Sequence, residues 1–412
     1  MLLNPFTPSE IAGSPEEFFG RSREIRILER SIQQGSVVIQ GPVGIGKSSL
    51  LSRIRLHMEG FDSDNKSKSI VVAGNKNIET IDQAAHLLLS EFISVDEIKN
   101  EAKIKLGNIV EVGSSEVIHN FKEGRHLAVL KRVLNEDYLQ RVLNDGDYLI
   151  LAIDEADKCP VPLARLMRSI CTVTQQQGVK GVRFILSGVT PFIEEIIEED
   201  PGVNRFFSKR IDLAPLSSDE SEDLLETKLN KVVQHAKSLG VNIIFEPIIL
   251  KRIYELSGGH PHLLQLLGYH VIENEETNPD GKIDRYDLVN SIRNICYEDR
   301  ATVYNSILHK IEVFGKLESL NILISNMANG FPSRISRSAA RKLVDPNDID
   351  WFIQNSILSM PTANHYGLID EFLRAKMILD SLDTIDEQVE KEVYLLNQVP
   401  TPEEEDWEPD DM

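Results

Sequence analysis

The sequence predicts an α/β protein in which a parallel-sheet core precedes an all-helical region and a winged-helix-like domain. Two short apolar runs, residues 37–39 and 148–153, each lead directly into a polar loop. Such runs are typical of central strands in parallel sheets, because these strands are buried on both faces. From Pro215 onwards the apolar residues recur at helical spacing, which predicts an all-helical region.

Length and charge limit the classes of function. The chain has 412 residues, enough for two to three domains. Its net charge of −21 disfavours nucleic acid as a partner, because phosphate contacts dominate that affinity. The sequence has no run of 18 apolar residues and no basic signal-peptide start, so we expect a cytoplasmic protein without a membrane partner. Three cysteines without C-x-x-C spacing disfavour structural zinc and a disulfide framework.

The loop after the first apolar run reads GPVGIGKS, residues 41–48. It matches the phosphate-binding pattern G-x-x-x-x-G-K-[ST] between a predicted strand and a predicted helix. Glycine lets the backbone wrap around a polyphosphate, and the following helix adds its positive dipole end. We expect Lys47 to reach the β- and γ-phosphates and Ser48 to ligate Mg²⁺. The predicted nucleotide-binding residues here are Gly41, Pro42, Val43, Gly44, Ile45, Gly46, Lys47, Ser48 and Ser49.

The second apolar run ends in two carboxylates, Asp154 and Glu155. In a parallel sheet the carboxyl end of a central strand faces the ligand. We therefore expect Asp154 to bind Mg²⁺, directly or through water, and Glu155 to orient and activate the attacking water. An acidic helix start is the alternative for the pair alone, but the upstream phosphate-binding loop favours the chemical role.

Taken together, the GPVGIGKS loop, the Asp154–Glu155 pair and the string GGHP at residues 258–261 resemble the AAA+-like STAND P-loop ATPases. The likeness is to prokaryotic ATPases with an origin-recognition-type layout. The resemblance implies a P-loop NTPase core, an all-helical lid and a winged helix, with ATP and Mg²⁺ as cofactors. It also implies nucleotide-controlled assembly or switching. Some relatives act in antiviral defence and others at replication origins, and the sequence does not choose between them.

The resemblance also implies roles for residues on either side of the core motifs. Arg21, in a Phe-Gly-Arg string, would lie beside the adenine; the alternative is a capped first helix. Ser187, after a strand at residues 182–186, would sense the γ-phosphate or the water, although a serine before glycine is equally typical of a turn.

Two arginines and a histidine–proline pair complete the implied site. Arg205 is the first candidate and Arg210 the second for an arginine finger that acts on a neighbouring subunit. The alternative is an ion pair with the acids at residues 194–200. His260 and Pro261 would contact nucleotide from the lid, whereas an ordinary surface histidine is the alternative for His260.

The predicted domains are an N-terminal adenine-side segment (1–35), the P-loop ATPase core (36–214), the helical lid (215–298), a winged-helix-like domain (299–382) and an acidic tail (383–412). In the winged-helix-like domain we predict helices at residues 333–343 and 349–358. The recognition position carries Asp348 and Asp350 and no basic residue, which favours protein contact over DNA contact. We interpret residues 94–146 as an insertion and the tail beyond residue 399 as disordered.

Three functional hypotheses follow from these observations. The first is an ATP-binding switch with slow hydrolysis that controls self-assembly into a homo-oligomer or a separate effector protein. The second is a DNA-binding initiator- or loader-like ATPase. The third is a binding module that holds ATP as a structural cofactor.

Overall fold

The computed structural model describes residues 2–58, 68–94, 125–134, 148–176, 181–189, 192–277, 279–327, 333–382 and 387–388. The chain divides into two compact units. One unit consists of Ile11–Ala214, and the other of Met1–Glu10 together with Pro215–Met412. Most of the predicted insertion at residues 94–146, and the predicted acidic tail beyond residue 388, lie outside the described residues.

Within its described residues, the first unit contains a parallel sheet of five strands. Its strand order is β2–β3–β4–β1–β5, and each neighbouring pair runs parallel. The strands are β1 (Ser36–Gln40), β2 (Lys68–Ala73), β3 (Leu149–Asp154), β4 (Val182–Gly188) and β5 (Phe207–Asp212). All residues of β1 are buried, as expected for a central strand covered on both faces. The parallel α/β core predicted from the two apolar runs is confirmed.

Helices cover both faces of this sheet. Side chains alternate along each strand, so Val38 faces one apolar cluster while Val37 and Ile39 face the other. The helices are α1 (Ser22–Gln34), α2 (Lys47–Met58), α3 (Ile81–Ser94), α4 (His126–Val133), α5 (Pro160–Gln176) and α6 (Phe192–Glu199). The first cluster includes residues of α3, α4, α5 and α6, and the second includes residues of α1 and α2.

The second unit begins with a helical region. Its elements are α7 (Ser218–Ser238), β6 (Ile244–Phe245), α8 (Pro247–Ser257), α9 (Pro261–Thr277), β7 (Lys282–Ile283), α10 (Arg285–Asn294) and α11 (Ala301–Val313). A capping box begins α7, since Ser217 accepts from the Glu220 amide and Glu220 from the Ser217 amide. Proline occupies the first position of α8 and α9, where the missing amide hydrogen costs no helical bond.

The N-terminal residues pack on this helical region. Phe6 is buried, and a Cβ added at Gly268 of α9 would lie 2.4 Å from its ring, so the ring needs a glycine beneath it. Lys228 of α7 donates to the carbonyl oxygen of Pro5 at 2.5 Å. The predicted segment of residues 1–35 is therefore divided between the two units.

The last part of the second unit has the order of a winged helix. It contains α12 (Leu317–Asn326), β8 (Arg334–Ser336), α13 (Arg337–Leu343), α14 (Pro346–Gln354), β9 (Leu358–Thr362), β10 (His365–Leu368) and α15 (Glu371–Leu379). The strands form an antiparallel sheet in the order β8–β10–β9.

Two helices predicted here have different bounds. Residues 334–336 were predicted as helix but form β8, because they pair with β10 and the Ser336 hydroxyl caps the helix that follows. The predicted helix at residues 349–358 begins earlier, at Pro346, and ends at Gln354. Within the described residues, no helix combines the length and apolar character needed to span a membrane.

Candidate functional site

The glycine-rich loop lies between β1 and α2, at the carboxyl end of a central strand. Gly44 and Gly46 have φ angles of 79° and 94°, a region that favours glycine. A Cβ at Gly41 would lie 3.1 Å from Ile45 and 3.2 Å from the Leu213 carbonyl oxygen, so this position also needs a small residue. Ile45 is fully buried beneath the loop. The loop is therefore fixed by packing as well as by its glycines.

Lys47 begins α2 and its side chain turns back over the loop. Its Nζ donates to the carbonyl oxygens of Gly41 at 2.9 Å and Pro42 at 2.8 Å. Burial lowers the pKa of the Lys47 ammonium group, while the carboxylates of Asp154 and Asp157 act in the opposite direction. The lysine is thus held at the mouth of the loop, among carboxylates.

Asp154 lies at the carboxyl end of β3 and accepts two hydroxyl hydrogen bonds. Ser48 donates to Oδ2 at 2.5 Å, and Ser187 donates to Oδ1 at 2.5 Å. The sheet order explains the second contact, because Ile153 of β3 pairs with Leu186 of β4 and the next residues on both strands are neighbours. The structure therefore brings together three predicted site residues.

The hydroxyl oxygen of Ser48 and the carboxylate of Asp154 are suited to bind a magnesium ion. Mg²⁺ prefers hard oxygen ligands and is usually bound by one or two protein groups, with water and phosphate completing its shell. A hydroxyl and a carboxylate that already approach to 2.5 Å beside a phosphate-binding loop supply such a pair. Ser48 and Asp154 are the residues that would hold the ion, and this role stays a prediction.

Glu155 directly follows the buried strand. Its φ of 50° is unusual for a non-glycine residue and redirects the chain into the 3-10 turn Ala156–Lys158. A Cβ at Gly74, the residue after β2, would lie only 2.6 Å from the Glu155 carbonyl oxygen. The Glu155 side chain is 48% exposed and pairs with Lys158 Nζ at 2.5 Å. Sequence reasoning missed both Gly74 and Lys158.

Signals for these two residues exist in the sequence but are weak. A glycine directly after a predicted strand indicates a turn or a close backbone approach, and here it is a close approach. A lysine three residues after an acid is common wherever the chain turns helically. Neither pattern distinguishes a site residue from an ordinary one.

Arg21 forms a hydrogen bond with the backbone of the loop. It precedes α1 with a φ of 61°, is 5% exposed, and donates from its guanidinium to the Ile45 carbonyl oxygen at 3.2 Å. Nearby, the Ala12 amide donates to the Ser49 hydroxyl at 3.1 Å. The segment before α1 therefore contacts both the loop and the first turn of α2. The adenine-side role of Arg21 stays a prediction.

The two arginine-finger candidates are not brought to this loop. Arg205 precedes β5, whose first residue Phe207 pairs with Ser36 at the start of β1, whereas the loop follows the end of β1. Arg205 therefore lies at the amino ends of the strands, opposite the loop. It is exposed, and its guanidinium lies 4.9 Å from the centroid of the Phe206 ring. Arg210 lies on the edge strand β5 and pairs with Glu194 at 3.5 Å. Action on a neighbouring subunit stays a prediction for both.

His260 and Pro261 belong to the second unit, at the start of α9. Gly259, directly before them, is required by close packing against Leu216. Gly259 has a φ of 72°, and a Cβ there would lie 2.1 Å from the Leu216 carbonyl oxygen. The Leu216 amide donates to the Gly259 carbonyl oxygen at 2.8 Å. A nucleotide contact of His260 or Pro261 stays a prediction.

Comparison with known proteins supports the fold. No family model matches the chain. An uncharacterized HTH-type transcriptional regulator of Methanocaldococcus jannaschii is 27% identical over an alignment of 244 residues, and the match covers 56% of this chain and 57% of that protein. The chain thus spans a little over half of that relative's length.

Two archaeal structures are similar to most of the chain. The ORC2 protein of Aeropyrum pernix, in its ADPNP–ADP complexes, has a TM-score of 0.52 at 14% identity and covers 94% of this chain and 98% of its own. A Walker-type ATPase of Pyrococcus abyssi has a TM-score of 0.50 at 15% identity, with coverages of 89% and 97%. The chain therefore shares the fold of these two proteins, in which a parallel α/β core precedes a helical region and a part with the element order of a winged helix in this chain.

Proposed function

We propose that this protein is a Mg²⁺-dependent ATPase that works as a nucleotide-controlled switch. The observation that carries the proposal is the convergence of Lys47, Ser48, Asp154 and Ser187 at the carboxyl edge of the sheet. A structural role alone does not require a phosphate-binding loop, a metal-ligand pair and a polar strand end at one place. A phosphoryl-transfer site requires all three.

Each residue has a defined task in this proposal. Lys47 exchanges the carbonyl oxygens of Gly41 and Pro42 for phosphate oxygens, which are stronger acceptors for a cation. Ser48 and Asp154 hold the metal, and Ser187 keeps the Asp154 carboxylate oriented. Bound Mg²⁺ neutralises charge on the phosphates. Glu155 orients the water that attacks.

Self-assembly would complete the site. Because Arg205 is exposed at the opposite edge of the sheet from its own loop, its guanidinium would serve a neighbouring copy. A cation supplied in this way stabilises charge in the transition state and makes turnover depend on assembly. Slow hydrolysis by the isolated chain, and control of a homo-oligomer or an effector, complete the proposal and rest on the resemblance to STAND ATPases.

A DNA-binding, initiator-like ATPase is the second candidate. It is favoured by the likeness to an ORC2 protein across the core, the lid and the winged helix. On α13, Arg341 and Lys342 are exposed and suited to phosphate contacts. On α14, however, Asp348 accepts from Lys316 and Ser319, and Asp350 is exposed. An acidic recognition helix disfavours base readout in the major groove.

Two experiments separate these functions. Nucleotide binding and phosphate release are measured with Mg²⁺ for the wild type, Lys47→Ala and Glu155→Gln. Binding lost in Lys47→Ala, with turnover lost but binding retained in Glu155→Gln, supports the ATPase. Binding without turnover in the wild type would instead indicate ATP as a structural cofactor. A mobility shift with duplex DNA over a salt series tests the second candidate, which requires strong, steeply salt-dependent binding.

A further inference from the structure

Lys158 contacts the side chain that we expect to orient the attacking water. Its Nζ donates to Oε2 of Glu155 at 2.5 Å, and the two form an ion pair. The contact follows from the chain path, because the backbone amide of Lys158 also donates to the Glu155 carbonyl oxygen at 3.0 Å. The 3-10 turn that begins at the left-handed Glu155 therefore returns the lysine side chain to the glutamate.

The neighbouring charged groups have other partners. Asp154 accepts from Ser48 and Ser187, and Asp157 accepts from the Val189 amide at 3.0 Å. Lys47 donates to loop carbonyl oxygens. Among the residues that the structure describes, Lys158 is thus the cation in contact with the Glu155 carboxylate.

This contact has a chemical consequence. A carboxylate oxygen that accepts from an ammonium group has fewer lone pairs for a water molecule. Glu155 bound to Lys158 is therefore poorly suited to activate water. The pair is also easily opened, because the side chains are 35% and 48% exposed and exposed ion pairs are weak.

We propose that Lys158 is a positioning residue that restrains Glu155, and that nucleotide binding shifts this ion pair toward its open form while a closed fraction persists during turnover. The inference rests on the proposed ATPase function, because Glu155 needs restraint only if it acts on water. Lys158 then contributes to the slow basal turnover, and its effect is confined to the step in which water is activated.

Steady-state kinetics test the effect on turnover. We expect Lys158→Met to raise kcat by about two- to five-fold, the range that an exposed ion pair allows, with KM unchanged. Lys158→Arg keeps the cation and should remain close to wild type. Lys76→Met removes an exposed lysine after β2 and should also remain close to wild type. An unchanged or lower kcat in Lys158→Met would overturn the inference.

Lysine acylation followed by mass spectrometry tests the contact without relying on turnover. The Glu155 contact raises the pKa of the Lys158 amine, so the amine should acylate slowly in the free wild type. We expect faster acylation of Lys158 in Glu155→Gln, and also in the wild type once Mg²⁺ and a non-hydrolysable ATP analogue are bound. Unchanged acylation in Glu155→Gln contradicts the contact.

A parallel measurement of analogue binding separates the two proposals. If the analogue binds and Lys158 acylation in the wild type does not change, the release step is wrong. If no nucleotide binds, the proposed ATPase function is wrong, and the inference that rests on it is overturned as well. The comparison with Glu155→Gln then still reports whether the ion pair exists.

Discussion

Arg21 donates from a buried guanidinium to the carbonyl oxygen of Ile45 at 3.2 Å, so a residue that precedes the first helix supports the phosphate-binding loop. The arginine also lies 3.8 Å from Glu24 in the first turn of α1. Its left-handed backbone conformation directs the side chain toward the loop. The conformation of the loop thus depends on a residue that lies 24 positions upstream of Ile45.

We expect Arg21→Ala to weaken nucleotide binding by at least about ten-fold, because a hydrogen bond from a charged group typically contributes about 1.5–3 kcal/mol. Isothermal titration calorimetry with an ATP analogue would measure the change. Arg23→Ala, at an exposed position of α1, is the matched control and should bind like the wild type. Equal affinity of the two variants would show that the loop does not need the Arg21 contact.

The Ser187 hydroxyl orients Asp154, so its loss should alter the metal requirement. In Ser187→Ala the carboxylate loses one of its two bonds at Oδ1, keeps the bond from the Glu155 amide there and keeps the bond from Ser48 at Oδ2. We expect the Mg²⁺ concentration for half-maximal turnover to rise by about five- to ten-fold, the effect of one modest hydrogen bond. Titration of turnover with Mg²⁺ measures this. A lower kcat at an unchanged Mg²⁺ requirement would contradict the orienting role.

Gly259 and Gly240 form a matched pair for a stability measurement. Both have a positive φ, 72° and 77°, but a Cβ at Gly259 would lie 2.1 Å from the Leu216 carbonyl oxygen, whereas nothing lies within 4 Å at Gly240. We expect Gly240→Ala to cost about 1 kcal/mol of backbone strain and Gly259→Ala clearly more, because it adds a clash with backbone. Urea unfolding of the full chain compares them. Equal free energies of unfolding would contradict the close packing.

Asp287 should make the protein less stable as the pH rises toward neutrality. Burial raises the pKa of its carboxyl group to about 7, and the charges of Asp284 and Glu275 act in the same direction. Because the folded pKa exceeds the unfolded value, the stabilisation is complete below about pH 4 and is lost as the pH rises through about 7.

Asp287→Asn removes this titration and keeps an acceptor oxygen for the Asp284 amide. The difference in unfolding free energy between variant and wild type should change by at most about 1.4 kcal/mol per pH unit between pH 4 and 7. Denaturation at a series of pH values measures it. A difference that is constant over this range would show that Asp287 titrates normally in the folded protein.

Much of the fold was predictable because its signals are local. The apolar runs at residues 37–39 and 148–153 indicated buried parallel strands, and both are central strands of the sheet. The capping box at Ser217 also depends only on near neighbours in sequence. The strand β8 was missed because Arg334–Ser336 gains its hydrogen bonds from β10, some 30 residues later, and carries little strand signal of its own.

The sequence by itself determined the phosphate-binding loop and the acidic pair, because close approach to phosphate and metal binding demand specific residue types at fixed spacing. The tertiary structure alone decided which side chains meet. It placed Ser187 on Asp154 and Arg21 under Ile45, and it paired Lys158 with Glu155. It also set Arg205 at the sheet edge opposite the loop. Strand order and register produce the contacts of Ser187 and Arg21, which arise from packing among residues far apart in the chain. Lys158 meets Glu155 through the backbone turn at Glu155.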